Sequence, residues 1–188
     1  MQLKKMIGVI SLLICCGFLF SCQKVGEYSL SEQMINSTLQ KQLSKYNQTI
    51  NGSDLVKMNL AFNSINLDLG EEVANKVVAK GTAKASIQTL LGKQDVDITL
   101  KLKALPQMDQ KQGAIYLQQV EIADYQINSS LGSITSGAFL PYLNQALQLY
   151  FEHNPIYQLD TSNHLEYLAF KSASSLKVEQ GKLVFSWL

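Results

Sequence analysis

The sequence predicts an α+β fold in which a strongly curved antiparallel β-sheet wraps around a helix within a single domain. Three observations carry this reading. Apolar residues recur at helical spacing over residues 29–46 and again over 139–151. Between these segments, from Asp54 to Asn128, the apolar period drops to two and Gly or Pro punctuates the pattern. Within it, residues 73–90 run on without a strong breaker. Fully extended, that stretch would span about 60 Å, several times a typical strand, so it must curl around something or break near Gly81.

The N-terminus reads as an address and an anchor. Residues 1–5 carry two lysines and no acid, and residues 7–20 are uncharged and strongly apolar. A run of that length suits a secretory signal peptide. A bilayer span takes about 20 residues, which disfavours the alternative of a retained membrane helix. Leu19-Phe20-Ser21-Cys22 resembles a bacterial lipobox, with an aliphatic residue, then a small one immediately before the cysteine. The resemblance implies removal of residues 1–21, lipidation of Cys22, and acylation of the new N-terminus with a chain such as palmitate. Each buried methylene stabilises attachment by about 0.8 kcal/mol, so several acyl chains hold firmly. Gln23 implies an outer-membrane destination on the periplasmic face. Residues 22–28 then read as lipidated cysteine and tether, and 29–188 as the folded domain.

Ser29 and Glu32 have the spacing of a capping box, with Ser31 a competing N-cap. Ile35, Leu39, Leu43 and Tyr46 form an apolar stripe, while Glu32, Gln33, Asn36, Gln40, Lys41 and Lys45 read as a solvated face. The helix should fade before Asn51-Gly52. In the next strand Val56, Met58, Leu60 and Phe62 share one parity, and Ile65, Leu67 and Leu69 the other. A slip of one residue would flip the buried face, so a bulge is expected at Asn63-Ser64. In residues 73–90, Val77, Ala79, Gly81, Ala83, Ala85 and Ile87 share a parity opposite to Lys76, Lys80, Lys84 and Gln88. After a turn at Gly92, Val96, Ile98, Leu100 and Leu102 face one way, and Asp95, Asp97, Thr99, Lys101 and Lys103 the other. Residues 105–113, with Pro106, read as a loop. Residues 114–128 are a long strand whose parity shifts twice: Ile115 and Leu117, then Val120 and Ile122, then Tyr125 and Ile127. A helix follows from near Ser136. Its apolar residues nearly encircle it, which predicts burial on most sides, with Pro141 tolerated in its first turn. Residues 156–159 suit a short strand, 164–170 a short helix, and 176–185 a closing hairpin turning at Gly181.

Composition narrows the function. All 16 cations are lysines, against 15 acids, and there are two histidines and three cysteines. A near-neutral chain without arginine argues against nucleic acid, and so few ligands against a metal site. Loss of residues 1–21 removes two lysines and no acid, turning the formal charge from +1 to −1. Cys15 and Cys16 leave with the signal. Ser-His-Asp, H-E-x-x-H, P-loop and dinucleotide patterns are absent. His153 suits a helix C-terminus, and His164 lies in a polar turn. Asp95 and Asp97 are spaced as an acid/base pair, but their alternation with lysines favours a solvated face. Glu71-Glu72 reads as a turn. No catalytic residue and no cofactor are expected, and the protein is not expected to be an enzyme.

Residues 28–36, Tyr-Ser-Leu-Ser-Glu-Gln-Met-Ile-Asn, and 176–184, Leu-Lys-Val-Glu-Gln-Gly-Lys-Leu-Val, together with the middle strands resemble the YceB-like family of bacterial lipoproteins. The similarity covers roughly residues 27–188. The family's fold is similar to the tubular lipid-binding proteins, in which a strongly curved antiparallel sheet wraps a long helix. The resemblance implies a periplasm-facing lipoprotein that binds a phospholipid or similar acyl-chain lipid, for transport or envelope maintenance. It transfers no binding residue. From the apolar pattern, candidate lining residues are Leu39 and Leu43, then Val77, Ala79, Ala83 and Ala85, then Phe139, Leu143 and Leu147. Apolar patterning does not separate core from cavity. An adaptor docking a periplasmic or outer-membrane protein without a lipid cavity is the alternative.

Overall fold

In the computed structural model, which describes residues 26–43, 48–53, 56–89, 92–128 and 136–187, the alternating pattern becomes two antiparallel sheets flanked by three helices. The elements are β1 (Glu27–Ser31), α1 (Glu32–Gln42), β2 (Gln48–Ser53), β3 (Val56–Leu69), β4 (Val77–Thr89), β5 (Gly92–Asp109) and β6 (Ala114–Asn128). They continue with α2 (Ser136–His153), β7 (Tyr157–Gln158), α3 (His164–Ser172), β8 (Ser175–Glu179) and β9 (Lys182–Ser186). Strands β2 to β7 form one sheet in sequence order, and the other sheet has the order β1-β9-β8. The fold is α+β, as expected. The signal segment, Cys22 and most of residues 128–137 lie outside the described residues.

The large sheet has one apolar and one polar face, and bulges keep it so. Register shifts between Phe62 and Ser64 where β3 pairs with β4. The extra residue brings Met58, Leu60 and Phe62 onto the same buried face as Ile65, Leu67 and Leu69 despite their opposite parity. Opposite the bulge stands Gly81, where a Cβ would collide with the Ser64 carbonyl oxygen. Only glycine lets the two backbones meet this closely. Strand β6 slips twice against β5, near Gln119, at φ 51°, and near Ala123, where Leu102 pairs with Ile122 but Lys101 with Asp124. The three parity groups read from the sequence therefore share a face.

Several boundaries differ from expectation. The tether is shorter, because Glu27 and Tyr28 already belong to β1 and pair with Ser186 and Phe185 of β9. The helix is capped by Ser31, whose hydroxyl accepts from Met34 N, and not by Ser29. A strand, β2, stands where the chain around Asn51-Gly52 looked like a helix end; it pairs with β3. Residues 71–76 turn before β4 begins, with Asn75 at φ 61°. The expected loop at 105–113 is strand as far as Asp109. Strand β4 reaches only to Ala104, so β5 has a free side where Pro106 lies, and an edge tolerates a missing N–H. Pro141 falls in the second turn of α2, and that helix is buried on one face only. Leu143, Ala146, Leu147, Tyr150 and Phe151 are buried, while Tyr142, Gln145, Gln148 and Glu152 are exposed.

The polar face of α1 has a partner that the sequence concealed. Glu32, Asn36 and Gln40 recur every fourth residue and so form one stripe. Leu69 N donates to Glu32 Oε2 at 2.8 Å, and Leu67 N to Asn36 Oδ1 at 2.8 Å. Asn36 Nδ2 donates to Leu67 O at 2.9 Å, and Gln40 Nε2 to Ile65 O at 2.6 Å. Strand β2 pairs with β3 only as far as Leu60, and farther along that edge helix side chains satisfy backbone groups of Ile65, Leu67 and Leu69. An unpaired edge would otherwise recruit another strand. The buried stripe of the same helix, Ile35, Leu39 and Leu43, joins the core.

Candidate functional site: an apolar cleft between a helix and a bulged strand

The cleft is built where β6 slips. The two slips carry β6 past α2, and Val120, Glu121 and Ile122 of the strand face Leu140, Pro141, Asn144 and Gln148 of the helix across a cleft of about 430 Å³. Val120 is buried, Ile122 and Leu140 are half-buried, and Pro141 is exposed. The wall is apolar; Glu121, Asn144 and Gln148 are its polar groups. That composition and size suit a small apolar ligand or a length of acyl chain. Helix α2 is held in place from below. Phe62 packs its ring 4.8 Å from Tyr150 and 5.8 Å from Phe151, centroid to centroid.

The candidate lining residues read from the sequence fall elsewhere. Leu39, Leu43, Val77, Ala79, Ala83, Ala85, Leu143 and Leu147 are all buried in one continuous core. None of them borders the clefts described here. The side chain of Phe139 and the lipidation site Cys22 lie outside the described residues. The residues that do line the cleft carry no separate signal, apart from the parity slips that bend β6.

A second groove, of about 520 Å³, lies on the polar face of the large sheet. Ser64, Thr82, Thr99 and Gln126 form one row across it, and Asn66, Lys80, Lys101 and Asp124 another. Glu72, from the turn before β4, bridges Lys80 and Lys101, with Lys101 Nζ at 2.5 Å. The hydrogen bonds from Lys101 and then Lys80 hold its carboxyl at about 2, down from 4.5. A carboxylate favoured in the folded state stabilises it fully above pH 4.5, and that contribution fades as pH falls toward 2. A Glu72→Gln variant should therefore show a flatter dependence of unfolding free energy on pH between 5 and 2, measured by urea titration at each pH. An unchanged slope would show that the bridge does not form in solution.

A third, polar cleft of about 650 Å³ lies between the β5–β6 turn and the start of β8. Its polar groups are largely spoken for. Asp109 Oδ1 accepts from Lys111 N and Gln112 N, Tyr116 OH donates to Gln112 Oε1 at 2.6 Å, and Gln110 Nε2 to Ala173 O at 2.5 Å.

The titratable groups singled out from the sequence are exposed. Asp95 accepts the Ser86 hydroxyl and lies 3.7 Å from Lys93 Nζ, and the Ser86 bond chiefly lowers its pKa. Asp97 stands on the same exposed face of β5. His153 Nδ1 lies 2.8 Å from Leu149 O at the end of α2, and His164 opens α3. The sequence did not announce Glu166, which is buried. It accepts from Tyr157 OH at 2.6 Å, and Asn163, the N-cap of α3, accepts from its backbone N–H. Burial, then the Glu166 bond, pushes the Tyr157 hydroxyl well above its ordinary range. This pair ties α3 to β7. Among the described residues no group of His, Cys, Asp and Glu could hold a metal ion, and no helix is long and apolar enough to cross a membrane.

Known proteins share this arrangement of sequence. The chain is 35% identical over 173 residues to a Salmonella typhimurium protein named uncharacterized lipoprotein YceB, covering 92% of each chain. It is 33% identical over 173 residues to the Escherichia coli K12 protein of the same name, again covering 92% of each. Among solved structures, one titled crystal structure of lipopolysaccharide binding protein overlaps with a TM-score of 0.32 and 9% identity. The overlap covers 85% of this chain and 39% of that one, and a score so low does not establish a shared fold. The family model described as "Protein of unknown function (DUF1439)" matches residues 30–182, which span the whole large sheet, all three helices and β8, and the chain belongs to that family.

Proposed function

We propose that this protein is a membrane-anchored, periplasm-facing lipoprotein of the outer membrane. It binds a phospholipid or similar acyl-chain lipid without chemically altering it, in lipid transport or envelope maintenance. The observation that carries the reading is the apolar cleft between α2 and β6, with its wall of Val120, Ile122, Leu140 and Pro141. Anchoring through lipidated Cys22 follows from the lipobox-like residues 19–22, and relatives carry the name lipoprotein. The bulges of β3 and β6 and the length of β5 support a sheet that curves around α2, with the acyl chain lying between them. A binding protein needs few ionisable groups at such a site, and Glu121 is the one the cleft has.

The test uses residues 23–188, since every described element lies after Cys22. Purified without detergent, the protein should carry lipid in native mass spectra or take up added phospholipid. An Ile122→Asp variant should lose at least about ten-fold in lipid affinity, because a carboxylate cannot be buried against a hydrocarbon chain without a partner. Protein that is free of lipid and takes up none would overturn the reading and leave the docking adaptor in its place.

A further inference from the structure

Helix α3 is amphipathic, with an unusual outer side. Glu166, Ala169 and Phe170 are buried, and the Phe170 ring lies 5.3 Å from Phe185, which in turn lies 6.3 Å from Tyr28. The helix therefore sits on β1 and β9. On its other side Leu165 is 75% exposed, Leu168 52% and Tyr167 38%. The two leucines are three residues apart and so adjacent on the helix surface. Leucines this open on a helix that is packed on its other side mark a contact surface when they neighbour one another.

The chain itself says what that surface meets. Gly26 leads into β1, and Trp187 N donates to Gly26 O at 3.1 Å. Trp187 is the sole tryptophan in the sequence and is half-exposed. Gly26 lies four residues after Cys22, a reach of at most about 14 Å. Tyr28, beneath α3, is six residues from Cys22, at most about 21 Å. With Cys22 acylated, β1, Trp187 and α3 are thus confined to the region just above the headgroups. Tryptophan and tyrosine favour that zone because each combines an apolar ring with a polar tip.

We infer that Leu165 and Leu168 of α3, together with Trp187 beside Gly26, form a membrane seat that rests on the lipid surface holding the anchor. This rests on lipidation of Cys22, as proposed above, but not on lipid in the α2–β6 cleft. The seat fixes the domain's orientation, since one short tether alone would let it tumble.

The sole tryptophan is the probe. The processed full-length protein is reconstituted into vesicles of phosphatidylethanolamine and phosphatidylglycerol, with or without brominated acyl chains, and Trp187 emission is recorded. We expect at least about two-fold quenching by the brominated lipid, and its loss in a Leu165→Asp, Leu168→Asp double variant that still floats with the vesicles. Both leucines are exposed, so circular dichroism should show the variant folded. Vesicle-bound, unquenched protein would overturn the seat while leaving the anchor standing. Quenching that survives the double variant would also overturn it. Intact-mass measurement showing no acyl chain on Cys22 would overturn the anchor, and the seat with it.

Discussion

A Phe62→Ala protein is expected to lose about 3–5 kcal/mol of unfolding free energy, enough to consume much of a single domain's stability. Phe62 is the last inward residue of β3 before its bulge, and it touches both large rings that α2 presents. Tyr150 and Phe151 stack edge-on to each other at 5.1 Å, so neither can swing to fill the space that the alanine leaves. The cost is a cavity as well as lost burial. Urea titration measures it, with Tyr142→Ala on the exposed face of α2 as the control, expected within about 0.5 kcal/mol of wild type. A loss below about 1 kcal/mol for Phe62→Ala would mean that α2 is not docked on β3 through these rings. Because α2 forms one wall of the cleft, the same variant should also weaken lipid uptake.

Asn36→Leu is expected to cost about 2–4 kcal/mol for a different reason. The side chain both accepts from Leu67 N and donates to Leu67 O, as a neighbouring strand would. Leucine keeps the volume and favours the helix, yet leaves two part-buried backbone groups unpaired, at about 1–3 kcal/mol each. Asn36→Asp separates the two bonds: the carboxylate still accepts from Leu67 N but cannot donate to Leu67 O, so its loss should fall between. Ser37→Ala, on the exposed neighbouring position, should cost little. If Asn36→Leu and Ser37→Ala behaved alike, the helix stripe would not be capping the edge. Loss of that cap also exposes strand edge, and concentration-dependent aggregation of Asn36→Leu is the expected companion effect.

The bulges were legible because strand alternation is a binary record. Each residue of β3 or β6 faces core or water, so a phase change at Asn63 or near Gln119 has few explanations. The helix stripe was misread for an equally physical reason. Glu32, Asn36 and Gln40 are polar whether they face water or the unpaired backbone of β3, and the sequence pattern is identical. Strand β2 escaped notice because Asn51-Gly52 looks like a breaker, while its partner β3 supplies the pairing that holds it extended. Nothing in the local sequence marks Glu166, which lies in the first turn of α3; only the approach of Tyr157 from β7 makes it a buried partner.

The sequence by itself determined which apolar residues of a strand share a face, where the strands bulge and the expectation of an N-terminal anchor. Those are properties of neighbours a few residues apart. Tertiary structure decided which apolar residues are packed and which border open space. Ala79 and Leu147 are enclosed, while Ile122 and Leu140 line a cleft. All four satisfy the same hydrophobic pattern. Packing differs from enclosure of a cavity by a few ångströms across two elements distant in the chain, and local periodicity carries no measure of that gap.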